Sequence, residues 1–98
     1  MAEIIWTEEA LRWLRDIHDY ISSDNPGAAR KVILGIYEKV QILRQFPGLG
    51  STYRIETDGR ICVMLYGHYR IAYLIRNEDQ IVVLGVFHDA LDIEHYLP

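Results

Sequence analysis

Six side chains in the second half of the chain are of the types that bind or transform phosphate and carboxylate groups: Arg60, His68, Tyr69, Arg70, His88 and Tyr96. A guanidinium fork can bind two oxygens of an anion at once. If the fold brings them together, Arg60, Tyr69 and Arg70 are predicted to form a concave surface that binds an anion or a target. For Arg70 the alternative is a structural ion pair with an acid such as Asp92 or Glu56.

A ribonuclease that uses no metal needs only a base, an acid and cations around the scissile phosphate. Arg70, His88 and Tyr96 could fill these roles, so they are the candidate catalytic residues if the chain is a nuclease. No Ser, His and acid set stands in a nucleophile context. The glycines at 48 and 50 follow a predicted helix rather than a strand, which argues against a phosphate-cradling loop. Acyl transfer and nucleotide hydrolysis are therefore set aside.

A metal site is the third kind of chemistry to consider. His88, Asp92 and His95 are spaced at i, i+4 and i+7, which would place them together on one side of a helix. His88 is expected to end a strand before that helix begins, so a capping histidine and a solvated helix face explain the spacing more simply. We predict no metal and no cofactor.

The elements that must position these residues begin with a short strand near residues 2–7 and two helices. Thr7 is a suitable N-cap for a helix over residues 8–22, and Asn25 with Pro26 marks the start of a second helix. Apolar residues recur at helical spacing in both, and this predicts two buried stripes. The stripes comprise Ala10, Trp13, Leu14, Ile17, Tyr20 and Ile21, then Ala29, Val32, Ile33, Ile36, Tyr37, Val40 and Leu43.

Two apolar residues of the second helix fall outside its stripe. By the 100° rule Leu34 and Ile42 project away from the core. They are either isolated surface apolar residues or a docking stripe for a segment of a partner protein.

Beyond residue 58 the apolar period changes from 3.6 to 2, which predicts strands over residues 60–66, 69–76 and 80–87. The last strand is apolar on both faces, so it should be central, with the N-terminal strand beside it. The predicted fold is α+β: an N-terminal strand, an antiparallel helical hairpin packed on a mainly antiparallel four-stranded sheet, and a short C-terminal helix. One domain is expected to span residues 1–98.

Composition limits the possible partners and location. The 98 residues carry a net charge of −4, which argues against strong direct nucleic-acid binding through the phosphate backbone. The single cysteine, Cys62, is expected to be a buried thiol, and no leader or membrane-length apolar run is apparent. We therefore expect a cytoplasmic protein without a membrane partner.

Several motifs together resemble the RelE/ParE superfamily of toxins from type II toxin-antitoxin systems. They are Trp6-Thr7 with the first stripe, Asn25-Pro26, Phe46-Pro47-Gly48-Leu49-Gly50, Tyr69-Arg70-Ile71-Ala72-Tyr73, and the strand that ends in His88 followed by Asp92 and Tyr96-Leu97. The match covers nearly the whole chain. Each motif is moderately specific, and their combination at these separations is the stronger signal.

The resemblance implies a growth-inhibiting toxin neutralised by a cognate antitoxin, a role in which Leu34 and Ile42 would contact the antitoxin. The superfamily includes plasmid stabilisation proteins of the ParE type that inhibit DNA gyrase, and RelE-type endoribonucleases that cleave mRNA on the ribosome. RelE-type nucleases carry a basic cluster before the first meander strand, whereas residues 51–59 contain only Arg54. The His88 and Asp92 pattern and the acidic total favour the ParE type. The nuclease, with Arg70 and His88 in catalysis, and a non-toxic α+β interaction module remain the alternatives.

Overall fold

The computed structural model describes residues 1–89 and 91–97. It contains two helices, five strands and two short 3-10 turns. In chain order they are β1 (Glu3–Trp6), α1 (Glu8–Ser22), α2 (Pro26–Ile42), a 3-10 turn (Pro47–Leu49), β2 (Ser51–Glu56), β3 (Gly59–Tyr66), β4 (Tyr69–Asn77), β5 (Gln80–His88) and a 3-10 turn (Ile93–His95).

Both helices begin where their capping residues predict. The Thr7 hydroxyl accepts a hydrogen bond from the Ala10 N–H at 3.0 Å and donates to the Val83 carbonyl at 3.0 Å, which ties the start of α1 to the sheet. The Asn25 side chain accepts from the Ala28 N–H at 3.0 Å, with Pro26 in the first turn of α2. These caps satisfy amide groups that have no partner inside the helix. They therefore fix where each helix enters the fold.

The sheet has the strand order β1-β5-β4-β3-β2. β1 pairs with β5 in parallel, and the other three pairings are antiparallel. The α+β class, the helical hairpin and the position of β1 beside the last strand are thus as predicted. The predicted strand count is wrong, because β2 adds a fifth strand. β2 lies at the edge, its side chains are largely exposed, and its pairing with β3 is interrupted at Tyr53, so no clear period-2 pattern marks it in the sequence.

Two apolar layers lie on the two faces of the sheet. The first lies between the helices and the sheet and includes Ile36, Val40, Ile71 and Tyr73. The second lies on the opposite face, where Phe87 and neighbouring strand residues are covered by residues 91–97, which we call the C-terminal segment. The sheet is therefore buried on both faces around β4 and β5.

A bulge in β5 shifts which residues of this strand face each layer. Tyr73 pairs with Val83 and Ala72 pairs with Gly85, so Leu84 is an extra residue with no partner on β4. Val83 and Val86 are three residues apart, and a regular strand would turn them to opposite faces. Because of the bulge, both reach the layer under the helices.

Three expectations about individual elements need correction. Tyr20 is 78% exposed and Tyr37 is 49% exposed, although both were assigned to the buried stripes. Each lies at the margin of its stripe, where a side chain passes beside the core rather than into it. The expected C-terminal helix is only the 3-10 turn Ile93–His95. None of the described helices is long and apolar enough to cross a membrane.

Candidate functional site

Arg70 lies on the face of the sheet opposite the helices. It pairs with Leu65 of β3 and Phe87 of β5, and Phe87 belongs to the layer under the C-terminal segment. The Arg70 guanidinium donates through Nη2 to the Leu91 carbonyl at 2.6 Å and to the Asp89 carbonyl at 3.4 Å. Its Nε is buried, without a hydrogen-bond partner among the described residues. Arg70 thus holds the chain's own C-terminal segment on the sheet.

The alternative ion pair for Arg70 does not form. Glu56 is engaged by Arg54, whose Nε donates to Glu56 Oε1 at 2.8 Å. Asp92 lies 3.3 Å from His95 Nε2. Within residues 1–89 and 91–97, no carboxylate approaches the Arg70 guanidinium within ion-pair distance. The charge of Arg70 is satisfied by peptide carbonyls instead.

Arg60 and Tyr69 do not share a surface with Arg70. Arg60 lies five residues before Leu65, the partner of Arg70 on β3. This odd spacing places the two arginines on opposite faces, roughly 17 Å apart along the strand. Tyr69 packs against the layer under the helices, where burial, followed by the nearby Tyr20, raises the pKa of its phenol. The expectation that these three residues converge on one hollow is therefore wrong.

The candidate catalytic residues are likewise divided. His88 pairs with Tyr69 on the helix side of the sheet, with its ring edge-on to the Tyr69 ring at 5.8 Å and its Nδ1 3.3 Å from Asp89 Oδ1. Tyr96 stacks on Phe87 at 5.8 Å, on the same face as Arg70. Arg70 and Tyr96 are therefore on one face of the sheet and His88 is on the other.

The spacing of His88, Asp92 and His95 does not produce a cluster. The turn that carries Asp92 and His95 is a single 3-10 turn, so the helical spacing does not apply. His88 contacts Asp89 instead, and Asp89 Oδ2 lies 3.8 Å from His68 Nδ1. Over the residues that the structure describes, no group of three or more histidine, cysteine or acidic side chains could hold a metal ion.

The hollow expected at Arg70 is filled from within the chain. Ile93 and Leu97 are buried against the sheet together with Phe87. Burial, followed by the carboxylate of Glu94, raises the pKa of Tyr53, which places Glu94 of the C-terminal segment beside β2. Sequence reasoning missed this cover. The signal that could have indicated it is the recurrence of Leu91, Ile93 and Leu97 among the acidic residues of the tail.

Leu34 and Ile42 lie on the outer side of α2, as predicted. Their side chains are 53% and 45% exposed, and the half-exposed Tyr37 lies between them in sequence. Arg30, Lys31 and Glu38 are also exposed on this helix. The outer side of α2 therefore combines apolar groups with charges of both signs. Single exposed apolar residues are common on protein surfaces, whereas three on one helix can mark a site where another protein binds.

Comparison with known proteins shows what this chain is similar to. The family model of the ParE toxin of the type II toxin-antitoxin system parDE matches residues 4–93. A protein of Sinorhizobium fredii (strain NBRC 101917 / NGR234) named Putative toxin Y4kP is 36% identical over 81 residues, which are 83% of each chain.

Two solved structures have the same fold. One is from the chromosomal ParDE toxin-antitoxin system of P. aeruginosa, with a TM-score of 0.71 and 23% identity over 90% of this chain and 96% of the other. The second is the toxin-antitoxin complex RelBE2 of Mycobacterium tuberculosis, with a TM-score of 0.57 and 26% identity over 89% and 96%. With the family model matching 4–93, the chain belongs to the ParE toxin family of type II toxin-antitoxin systems.

Proposed function

We propose that this toxin arrests growth by acting on DNA gyrase and that a cognate antitoxin neutralises it. The observation that carries the choice of target is the separation of Arg70 from His88 on opposite faces of the sheet. A nuclease needs its base, its acid and its cation around one phosphate, each within about 3 Å of the atoms it serves. A toxin that acts by binding a topoisomerase needs no such convergence.

The environment of Arg70 supports the same proposal. Its Nη2 is occupied by the Leu91 and Asp89 carbonyls, and the C-terminal segment covers this face of the sheet. A phosphate could bind Nη2 only by displacing these two carbonyls. An mRNA endoribonuclease is the second candidate, because Arg70 and His88 match positions that some nuclease members of the RelE/ParE superfamily use in catalysis.

Three assays on one purified chain separate the candidates. We expect inducible expression to stop growth and induce a DNA-damage response, and we expect the pure protein to inhibit supercoiling by gyrase and trap cleaved DNA. Ribosomes programmed with mRNA should leave the message intact. Codon-specific mRNA cleavage that Arg70→Ala abolishes without unfolding the chain would overturn the gyrase assignment in favour of the nuclease. Unimpaired growth on expression without antitoxin would favour a non-toxic interaction module.

The outer side of α2 is the proposed contact for the antitoxin. Leu34 and Ile42 are about two helical turns apart and half-exposed, so one segment of a partner protein could cover both side chains along the same side of α2. Because each side chain is already about half buried, covering the remainder of both contributes roughly 1.5 to 3 kcal/mol, enough to change affinity by a factor of about 10 to 150.

A paired substitution tests this contact. We expect Leu34→Asp with Ile42→Asp to leave growth arrest intact but to prevent rescue by the antitoxin encoded in the neighbouring reading frame. Leu65→Asp is the control, because Leu65 is 64% exposed on β3 and faces away from the helices. Rescue of the double variant at the same antitoxin level as the unchanged chain would contradict the assignment of this surface.

A further inference from the structure

Three adjoining grooves form one continuous trough between α1 on one side and β5 with the C-terminal segment on the other. Their volumes are about 530, 280 and 520 Å³. The first and second share Glu9, Arg12 and Tyr96, and the second and third share Trp13 and Asp16. We call this surface the α1 trough. From Glu9 to Tyr20 it extends roughly 17 Å, the rise of eleven helical residues, which matches about five residues of an extended chain.

The walls of the α1 trough are aromatic and apolar. Trp13 lies edge-on to Tyr96 at a ring-centroid distance of 5.1 Å, and this pair lines the middle of the trough. Ile17, Tyr20 and Leu91 line the end nearest β5. Because Tyr20 remains highly exposed beside these residues, its ring is available to a ligand without any rearrangement of the core. Side chains of this kind bind apolar groups of an extended segment.

The charge of the α1 trough is predominantly negative. Its acidic residues are Glu8, Glu9 and Asp16, and its one permanent cation is Arg12 among the described lining residues. The histidines His88 and His95 also reach it. Within the part of the chain that the structure describes, Glu9, Asp16 and Arg12 form no ion pair within 4.0 Å. Carboxylates without a partner at the rim of an apolar groove select a positively charged ligand.

We infer that the antitoxin segment that binds this chain carries lysine or arginine residues alternating with apolar residues and that it lies in the α1 trough. This inference rests on the proposed function, since it assumes that an antitoxin exists. The positive charge that we expect on the antitoxin segment follows from comparing Arg70 with the acidic residues of α1. The guanidinium of Arg70, the natural receptor for a carboxylate on a partner, already holds the C-terminal segment, whereas Glu9 and Asp16 of α1 form no ion pair with any residue that the structure describes.

The shape of the trough favours a linear antitoxin segment over the surface of a folded target. It is roughly 17 Å long, and one of its walls is α1 of the helical hairpin that also carries Leu34 and Ile42. Extended segments bind in such grooves with side chains alternating between the floor and the rim. Apolar side chains would contact Trp13 and Ile17, and the intervening cations would lie beside Glu9 and Asp16.

A peptide measures the proposed preference directly. The probe is an acetylated and amidated hexapeptide of alternating leucine and lysine, and the comparison peptide has glutamate in place of lysine. We expect the lysine peptide to bind and the glutamate peptide not to bind. Glu9→Gln with Asp16→Asn should weaken binding of the lysine peptide roughly five-fold, the effect of two exposed charge pairs.

The matched control is Asp24→Asn with Glu78→Gln. It removes the same two charges from turns outside the trough, so it should change the affinity less than about two-fold. An equal loss in both variants, or equal binding of the glutamate peptide, would overturn the inference by showing nonspecific attraction. The chain in complex with the purified product of the neighbouring antitoxin frame should no longer bind the lysine peptide, and unchanged binding there would overturn the assignment of the occupant.

The two proposals can fail separately. Growth arrest and its rescue by the antitoxin test the proposed function without reference to the trough. A toxic and rescuable chain that does not bind the lysine peptide would overturn this inference alone. A chain that binds the peptide in competition with the antitoxin, yet neither arrests growth nor affects gyrase, would overturn the proposed target alone.

Discussion

The hydroxyl of Tyr73 accepts a hydrogen bond from the Gly50 N–H at 2.9 Å and donates one to the Pro47 carbonyl at 2.7 Å. Tyr73 is fully buried in the layer under the helices. Its ring fills the core, and its hydroxyl anchors the 3-10 turn that connects α2 to β2. Two motifs that are far apart in the sequence, Phe46–Gly50 and Tyr69–Tyr73, are thus parts of one structural unit.

Tyr73→Phe is predicted to destabilise the fold by about 1 to 3 kcal/mol. The substitution keeps the ring but leaves the Gly50 N–H and the Pro47 carbonyl without their partner in a partly buried place, and such groups are costly to leave unpaired. Urea denaturation monitored by circular dichroism gives the free energy of unfolding. Tyr20→Phe is the control, because that ring is exposed and should show little change. Equal stability of the two variants would contradict the anchoring role.

Two glycines in the same turn differ sharply in the space around them. A Cβ added at Gly50 would lie 2.8 Å from both the Tyr73 hydroxyl oxygen and the Val63 carbonyl oxygen, whereas at Gly48 nothing lies within 4 Å. We predict that Gly50→Ala lowers the free energy of unfolding by about 1 to 3 kcal/mol, as overpacking does. Gly48→Ala should be neutral within about 0.5 kcal/mol. A comparable loss for Gly48→Ala would show that backbone freedom, not close approach, matters in this turn.

Stability is predicted to fall at alkaline pH because of Tyr73. Burial raises the pKa of this phenol from 10.0 to about 12, with the neighbouring Cys62 thiol acting in the same direction and the Gly50 N–H and Arg60 opposing it. The unfolded chain therefore loses this proton more readily than the folded chain between pH 10 and 12. The contribution to stability is complete below pH 10 and is lost as the pH rises towards 12, by an amount on the order of 2 kcal/mol.

Urea titrations at pH 9, 10 and 11 measure this dependence. The unchanged chain and Tyr20→Phe should lose stability with the same slope, and Tyr73→Phe should lose less over the same interval, although it starts from a lower value. Parallel slopes for all three chains would exclude Tyr73 as the source of the alkaline instability.

Arg70→Met is predicted to loosen the C-terminal segment. The guanidinium's hydrogen bond to the Leu91 carbonyl at 2.6 Å would be lost, and bonds to charged groups contribute about 1.5 to 3 kcal/mol. Amide hydrogen exchange is the measurement. The amides of Tyr96 and Leu97, which both donate to the Ile93 carbonyl, should exchange about ten-fold faster or more.

Arg60→Met is the matched control for this prediction. Arg60 is exposed on the other face of the sheet, so exchange in the C-terminal segment should stay unchanged. Equal acceleration in both variants would point to a general loss of positive charge, and no acceleration in Arg70→Met would show that apolar contacts alone hold the segment.

The sequence by itself determined the helices, most of the strands and the order in which they come. Apolar spacing is a local property, because a helix or strand must turn one side to the core whatever its partner is. The caps at Thr7 and Asn25 and the exposure of Leu34 and Ile42 follow from the same local rules.

Only the tertiary structure decided which side chains meet. The distance between Arg60 and Arg70 depends on the pairing register of β3 and β4, and the presence of both Val83 and Val86 in the layer under the helices depends on the bulge at Leu84. The side chains of the edge strand β2 are too little buried to leave an alternating apolar pattern in the sequence. The cover over Arg70 and the acidic trough along α1 come from contacts between residues far apart in the sequence, such as Arg70 with Leu91 and Trp13 with Tyr96. Such contacts are set by the packing of whole helices and strands against one another, and local periodicity carries no information about that packing.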